Sequence, residues 1–162
     1  MLTPYPLVVT AKGYGFTTTS QVSYEVYFSD VTHTFSGVNA RVFSFGFDCT
    51  ETPEHIDADN LPPDTRIGET IAAILDDFFS NNLDIIVYVP MDTDRKGELR
   101  LRLFDFWWAR YKPSMNCQDI EKERYTFTYP DDAFIATMLY RVEIKLEAQA
   151  VISGLESLND GK

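Results

Sequence analysis

Apolar and polar residues alternate through the first third of the chain. Residues 21–29 place Val22 and its apolar neighbours at every second position, and this period of two is typical of a β-strand with one row of side chains on a core. Residues 14–18 before this segment, and 31–35 with 41–47 after it, are predicted as neighbouring strands. Serine, glycine and asparagine in the connections favour turns, so the pattern predicts an antiparallel meander.

The pattern then changes to a loop and a helix. Residues 49–65 are acidic and contain three prolines, which predicts a long loop. The two adjacent prolines near its end exclude a helix before them. Asp64 or Thr65 can accept hydrogen bonds from the first free N–H groups of a helix, and apolar residues follow at helical spacing as far as Asn82. This spacing predicts a helix from about Thr65 with one apolar stripe on the sheet.

A short apolar run comes next. Residues 83–90 are apolar on both faces, as expected for a strand in the middle of a sheet that is covered above and below. The polar residues after this run predict a turn, in which Asp92 or Asp94 can cap a helix that begins near Arg95.

The helix predicted over residues 95–111 has a narrow polar face, with Glu98 placed four residues before Arg102 for an ion pair. Its remaining positions form a broad apolar arc. The helix therefore packs against more than one surface or leaves an aromatic patch for a partner. Arg100 lies within this arc, and its guanidinium requires a carboxylate, backbone carbonyls or a bound anion, because burying it unpaired is prohibitive.

The last part of the chain completes the expected fold. Two alternating segments, 123–129 and 133–143, predict a hairpin, and apolar residues at helical spacing predict a final helix over about 145–158. The predicted order is β-β-β-α-β-α-β-β-α. This order predicts an α+β protein whose sheet is mixed but mainly antiparallel, in a single domain spanning 1–162.

Charge and cysteine content narrow the function classes. The 25 Asp and Glu residues exceed the 14 Lys and Arg residues, for a net charge of −11, which disfavours nucleic acid and anionic lipid and favours a basic partner. Cys49 and Cys117 lack the spacing of a redox or metal motif, and Cys49 with His55, Asp57 and Asp59 forms no recognisable ligand pattern, so we predict no metal. Without a signal-peptide pattern or a membrane-spanning apolar run, we expect a cytoplasmic protein.

The order of elements over residues 22–142 resembles the acyl-CoA N-acyltransferase (GNAT) superfamily, in which a meander, a helix, a central parallel strand, a second helix and a hairpin follow one another. In that superfamily an Arg/Gln-x-x-Gly-x-Gly/Ala loop at the first helix holds the cofactor pyrophosphate. Arg66 and Gly68 form a shortened version of this motif. The resemblance implies that acyl-CoA would lie between this turn and the central strand at Val87 and Val89.

The same resemblance implies catalytic and anion-binding candidates. A carboxylate such as Glu25 or Asp48 would accept the proton of the amine substrate, and Arg100 would contact an anionic ligand. A tyrosine on the second helix often protonates the leaving thiolate in that superfamily. Phe104 occupies this position and has no hydroxyl, while Tyr111 lies about two turns further along the helix.

Three segments, 23–30, 42–48 and the run from the strand predicted at 83–90 through Phe104, also look like an uncharacterised family of small bacterial proteins known as a domain of unknown function. That setting suggests a host-defence or toxin–antitoxin context. We expect a degenerate or non-catalytic GNAT-like domain that binds a protein partner or forms a homo-oligomer. The alternative is an active acyl-CoA-dependent N-acyltransferase. An acidic DNA mimic is a third hypothesis, which net charge alone suggests.

Overall fold

The computed structural model describes residues 1–35, 37–90, 94–129 and 132–160. Within these ranges, side chains are described for all residues except 127–129, 132–134 and 156–160. The strands are β1 (Val8–Val9), β2 (Gly13–Thr17), β3 (Ser23–Asp30), β4 (Val42–Glu51), β5 (Ile85–Tyr88), β6 (Ile120–Tyr129) and β7 (Asp132–Arg141), and the helices are α1 (Thr65–Asn81), α2 (Gly97–Tyr111) and α3 (Lys145–Asp160). They form one sheet in the order β1-β2-β3-β4-β5-β7-β6. The β4–β5 pair is parallel and the other pairs are antiparallel.

The predicted α+β class and the predicted order of elements are both confirmed. The predicted order is found from β2 to α3, after the additional short strand β1. The strand predicted over residues 31–35 is wrong, because Thr32–Thr34 forms a 3₁₀ turn in which the Asp30 carboxylate accepts the Thr32 N–H at 2.9 Å. This local hydrogen bond takes a backbone donor that a strand would need. The start of the predicted loop also differs, since β4 extends to Glu51.

The short strand β5 is the covered strand that its apolar sequence predicts. It lies between β4 and β7, and its four residues are buried. Ile86 and Tyr88 pack on the side of α1 and α2, whereas Ile85 and Val87 pack on the side of α3. The sheet therefore has a hydrophobic core on each face, with α1 and α2 over one and α3 over the other.

The first helix begins where its sequence predicts. Asp64 caps α1, and its carboxylate accepts the Arg66 N–H at 2.9 Å. The helix packs closely on α2, because a Cβ atom added to Gly68 would lie only 2.3 Å from Cδ1 of Trp107. Gly68 thus permits the two helices to approach.

The second helix begins later than predicted. Arg95 has a φ of 60°, a left-handed conformation that cannot start a right-handed helix. Asp94 accepts the Lys96 N–H at 3.1 Å just before the helix, and Asp92 lies outside the described residues. The predicted ion pair is confirmed, since Arg102 donates to Glu98 at 2.5 Å. The hairpin connection at 130–131 also lies outside the described residues, whereas α3 covers the predicted final helix.

Candidate functional site

The parallel strands β4 and β5 separate at one end. They pair from Val42 with Ile85 to Phe45 with Tyr88. β5 ends at Tyr88, whereas β4 continues to Glu51. The side of β4 that faces β5 is consequently left without that neighbour over its second half. In α/β sheets, ligands commonly bind at the carboxyl ends of parallel strands.

A cleft of about 620 Å³ opens at this end of the two strands. The second half of β4 forms one wall, the start of α1 with the loop before it forms another, and α2 forms the third. Aromatic and apolar side chains line most of it, with carboxylates and one guanidinium among them. The residues that define its chemistry are Tyr24, Phe47, Asp48, Arg100, Leu103 and Trp107.

Arg100 is the positively charged residue that lines the cleft, and it forms an ion pair with the Asp94 carboxylate. Its two terminal nitrogens donate to the two carboxylate oxygens of Asp94 at 2.7 and 2.6 Å. This hydrogen-bonded pairing holds the pKa of Asp94 well below its usual range. The expected ion pair of Arg100 is therefore present at the mouth of the cleft.

Three tyrosines lie in or beside the cleft: Tyr24 lines it, Tyr27 on β3 donates a hydrogen bond to Asp48, and Tyr88 is the last residue of β5. Burial raises the pKa of Tyr24 and of Tyr88 to about 12. Burial and the Asp48 carboxylate, to which the hydroxyl of Tyr27 donates, raise the pKa of Tyr27. All three hydroxyls are accordingly neutral at physiological pH.

The structure brings two of the predicted catalytic residues together. Glu25 on β3 and Asp48 on β4 are directly paired across the two strands. Asp48 borders the cleft, and the pKa of Arg100 is raised chiefly by its hydrogen bonds to Asp94 and to a lesser degree by the Asp48 carboxylate. Asp48 and Arg100 thus lie at the open end of β4, with Glu25 beside Asp48 on the neighbouring strand.

Arg66 is held away from this group by the N-terminal segment. Its guanidinium donates to the backbone carbonyls of Thr3 at 2.9 Å and Pro4 at 3.0 Å, and it lies 4.3 Å from the centre of the Tyr5 ring. The Tyr5 hydroxyl also donates to the Asp64 carboxylate at 2.7 Å. The first turn of α1 is therefore capped by a carboxylate and covered by the N-terminal segment.

The other predicted cofactor residues lie elsewhere. Gly68 is buried beneath Trp107 on the α1–α2 contact, and Val87 is buried in the core under α3. Val89 follows the end of β5 and is exposed. Of the five residues predicted to hold a cofactor, Arg100 is the one that lines the cleft.

Tyr111 and Phe104, the two positions on α2 considered for the proton donor of acyl transfer, both make packing or hydrogen-bonding contacts inside the fold. Tyr111 is buried, and its hydroxyl donates to the Thr65 carbonyl at 3.0 Å. Phe104 is buried with its ring centre 4.9 Å from that of Tyr88 and 6.3 Å from that of Phe45. Both side chains therefore stabilise the packing of α2 on α1 and the sheet.

Sequence reasoning did not identify Tyr24, Phe47 and Trp107 as a shared lining. The alternation of β3 and β4 indicates that Tyr24 and Phe47 occupy defined faces of the sheet, and the helical period places Trp107 on the apolar arc of α2. No local sequence pattern shows that these three side chains line the same cleft, because this depends on where α2 crosses the sheet.

Two further findings bear on the class of protein. Among the residues that the structure describes, no cluster of three or more His, Cys, Asp or Glu side chains is arranged to hold a metal ion. Within the same residues, no helix combines the length and apolar character needed to cross a bilayer. The fold and cleft together define a mixed α+β protein with a candidate binding site where its parallel strands diverge.

Comparison with known proteins gives one match. Residues 63–140 match the model of a family of unknown function (DUF6169), a range that includes α1, β5, α2, β6 and nearly all of β7. No curated protein matches the chain. No solved structure matches it either. The match includes the last of the three segments that suggested an uncharacterised family, whereas residues 23–30 and 42–48 lie outside it. The acyl-CoA N-acyltransferase resemblance rests on the order of elements alone.

Proposed function

We propose that this protein is a non-catalytic binding domain with a GNAT-like layout, and that the cleft at the divergence of β4 and β5 binds a protein partner. The layout is supported by the meander, the helix α1, the central parallel strand β5, the helix α2 and the β6–β7 hairpin, which follow one another in the expected order. The opening beside β5 lies where the resemblance implies the cofactor.

The observation that carries the proposal is the chemistry at the start of α1. In the superfamily this helix end holds the cofactor pyrophosphate, since free N–H groups and the helix dipole attract an anion. Here Asp64 already supplies a carboxylate at that position, and Tyr5 donates a hydrogen bond to it. An incoming pyrophosphate would meet a like charge, and Arg66 is engaged by the carbonyls of the N-terminal segment.

The proton donor expected for acyl transfer also has no hydroxyl here. Phe104 is buried among aromatic rings, and the hydroxyl of Tyr111 is committed to the Thr65 carbonyl. Binding therefore accounts for the cleft more directly than turnover does.

One feature favours the alternative of an active acyl-CoA-dependent N-acyltransferase. Glu25 and Asp48 are adjacent carboxylates at the open end of β4, and either one could accept the proton of an amine. In that alternative, Arg100 would contact the anionic part of the acyl donor.

Calorimetry with acetyl-CoA and with coenzyme A at millimolar concentration distinguishes the two functions. We expect no saturable heat of binding, and no acetyl transfer to a panel of amines that includes lysine peptides. Saturable binding with acetyl transfer that is lost in Asp48→Asn and weakened in Arg100→Gln would overturn the proposal and establish the alternative.

A further inference from the structure

We infer that the cleft binds a basic amphipathic segment of another protein, with apolar side chains on α2 and lysine or arginine side chains against the acidic loop opposite. This inference rests on the proposed function, because it names the partner of the same cleft. It is carried by two surfaces of contrasting chemistry that border the cleft, called here the apolar lip and the acidic lip.

The apolar lip consists of Leu99, Leu103 and Phe106 on α2. Their exposed fractions are 61%, 44% and 53%. The spacing of four and then three residues places these side chains on one face of the helix. Leu103 and Phe106 also line the cleft. A row of large apolar side chains that continues into a cleft is typical of a protein-binding surface.

The acidic lip is the loop between β4 and α1. Residues 52–64 contain four acidic residues and no lysine or arginine. Glu54, Asp57 and Asp59 are exposed there, while Ala58 and Leu61 of the same loop face the cleft. The Lys96 ammonium donates to the Asp59 carbonyl at 3.1 Å, which ties this loop to the start of α2.

The floor of the cleft favours a cation as well. Phe47 and Trp107 have ring centres 5.6 Å apart, and aromatic faces attract lysine and arginine side chains. The charge of Arg100 is matched by Asp94, so the carboxylate of Asp48 leaves the floor with a net negative charge. A lysine or arginine side chain of the partner fits this arrangement, with its alkyl stem against the two rings and its charged end near the Asp48 carboxylate.

A second copy of this chain fits the cleft less well. Each copy has a net charge of −11, which opposes close association. Arg100 and Arg102 on α2 offer the acidic lip of a second copy no surplus positive charge, since Arg100 is paired with Asp94 and Arg102 with Glu98. The chemistry of the two lips therefore indicates a basic partner rather than self-association.

The test uses a fluorescein-labelled peptide of leucine and lysine, with leucine on one helical face over about five turns (~18 residues). Controls are a peptide of the same composition in scrambled order and one with glutamate in place of lysine. In fluorescence anisotropy with the full chain, we expect saturable binding of the amphipathic peptide that weakens as salt is raised. Both control peptides should bind at least about tenfold more weakly.

Substitutions locate the binding surface. Leu103→Ser should weaken binding about tenfold or more, and Asp57→Asn with Asp59→Asn should weaken it and reduce its salt dependence. Leu146→Ser is the matched control, because Leu146 lies on α3 over the opposite face of the sheet and is 79% exposed. It should leave the affinity unchanged.

Several outcomes would overturn the inference. These are equal binding of the scrambled peptide, absence of saturable binding, an equal loss in Leu146→Ser, or a homodimer of the free chain that Leu103→Ser dissociates. If the peptide fails while acetyl-CoA also gives no heat, this inference alone fails. Acetyl-CoA turnover would instead overturn the proposed function, whatever the peptide does.

Discussion

Replacing Gly68 with alanine tests the closest approach between α1 and α2. The added Cβ would lie 2.3 Å from Cδ1 of Trp107 and 2.6 Å from its Cγ and Nε1, whereas carbon atoms in contact are separated by about 3.5–4.0 Å. The ring would have to move by roughly one ångström. Trp107 is only 7% exposed and packs on Phe47, so this movement would disturb the floor of the cleft.

Two opposing effects set the magnitude. Alanine in place of glycine within a helix stabilises it by about 0.8–1.0 kcal/mol. Overpacking a well-filled core costs about 1–3 kcal/mol. Because Trp107 is buried between α1 and the sheet and its ring must move by roughly one ångström, we expect the second effect to reach the upper part of its range, about 2–3 kcal/mol, and to dominate. The free energy of unfolding of Gly68→Ala should fall by about 1–2 kcal/mol.

Urea unfolding followed by circular dichroism and tryptophan fluorescence measures this change. Gly154→Ala on α3 is the matched control, because its Cβ would lie 3.2 Å from Cδ1 of Phe35, a contact that a small ring movement relieves. That substitution should be neutral or stabilise by up to about 1 kcal/mol. In a Trp107→Leu background, Gly68→Ala should cost less than it does in the wild-type background, because the ring that the added Cβ meets is absent. The reasoning is refuted if Gly68→Ala is as stable as the wild-type protein.

Two other substitutions test contacts that fix α1. Asp76 is buried and accepts hydrogen bonds from two backbone N–H groups of the loop before β6, at 2.9 and 2.8 Å. Asp76→Ala should therefore lower the free energy of unfolding by about 2–4 kcal/mol. Asp77→Ala, at the exposed neighbouring position, should lower it by about 0.5 kcal/mol or less. Hydrogen bonds from Thr3 lower the pKa of Glu69 below its ordinary value of 4.5. This contribution is complete above that value and is lost as the pH falls through the lower pKa of the folded protein, so Glu69→Gln should flatten the decline of stability between about pH 5 and 3 in thermal melts.

The elements predicted correctly are those whose signals are local. The start of α1 is set by a proline pair and the Asp64 side chain, which act within a few residues. The covered strand β5 is indicated by consecutive apolar residues, because both of its faces are buried whatever covers them. The error at residues 31–35 is also local, since the Asp30 carboxylate competes for a backbone N–H in a way that β-propensity does not reveal.

The candidate site is formed by segments that are far apart in the sequence, and no local sequence pattern predicts how they come together. The cleft exists because β5 ends at Tyr88 while its neighbour β4 continues, and this register joins segments far apart in sequence. The helical period places Leu99 and Leu103 on the apolar arc but does not show which part of that arc is covered. Likewise, Gly68 is compatible with a phosphate turn or with a close helix contact until the position of Trp107 is known.

The sheet order has a consequence for the segment that matches the family of unknown function. A fragment of residues 63–140 would contain β5 but not β4, so one side of this buried strand would present unpaired N–H and C=O groups to water or to other chains. The same fragment would lose Tyr5, whose N–H donates to Thr70 on α1. The recognisable sequence and the cooperative folding unit therefore differ, and a protein sharing only this segment needs strands of its own to complete the sheet.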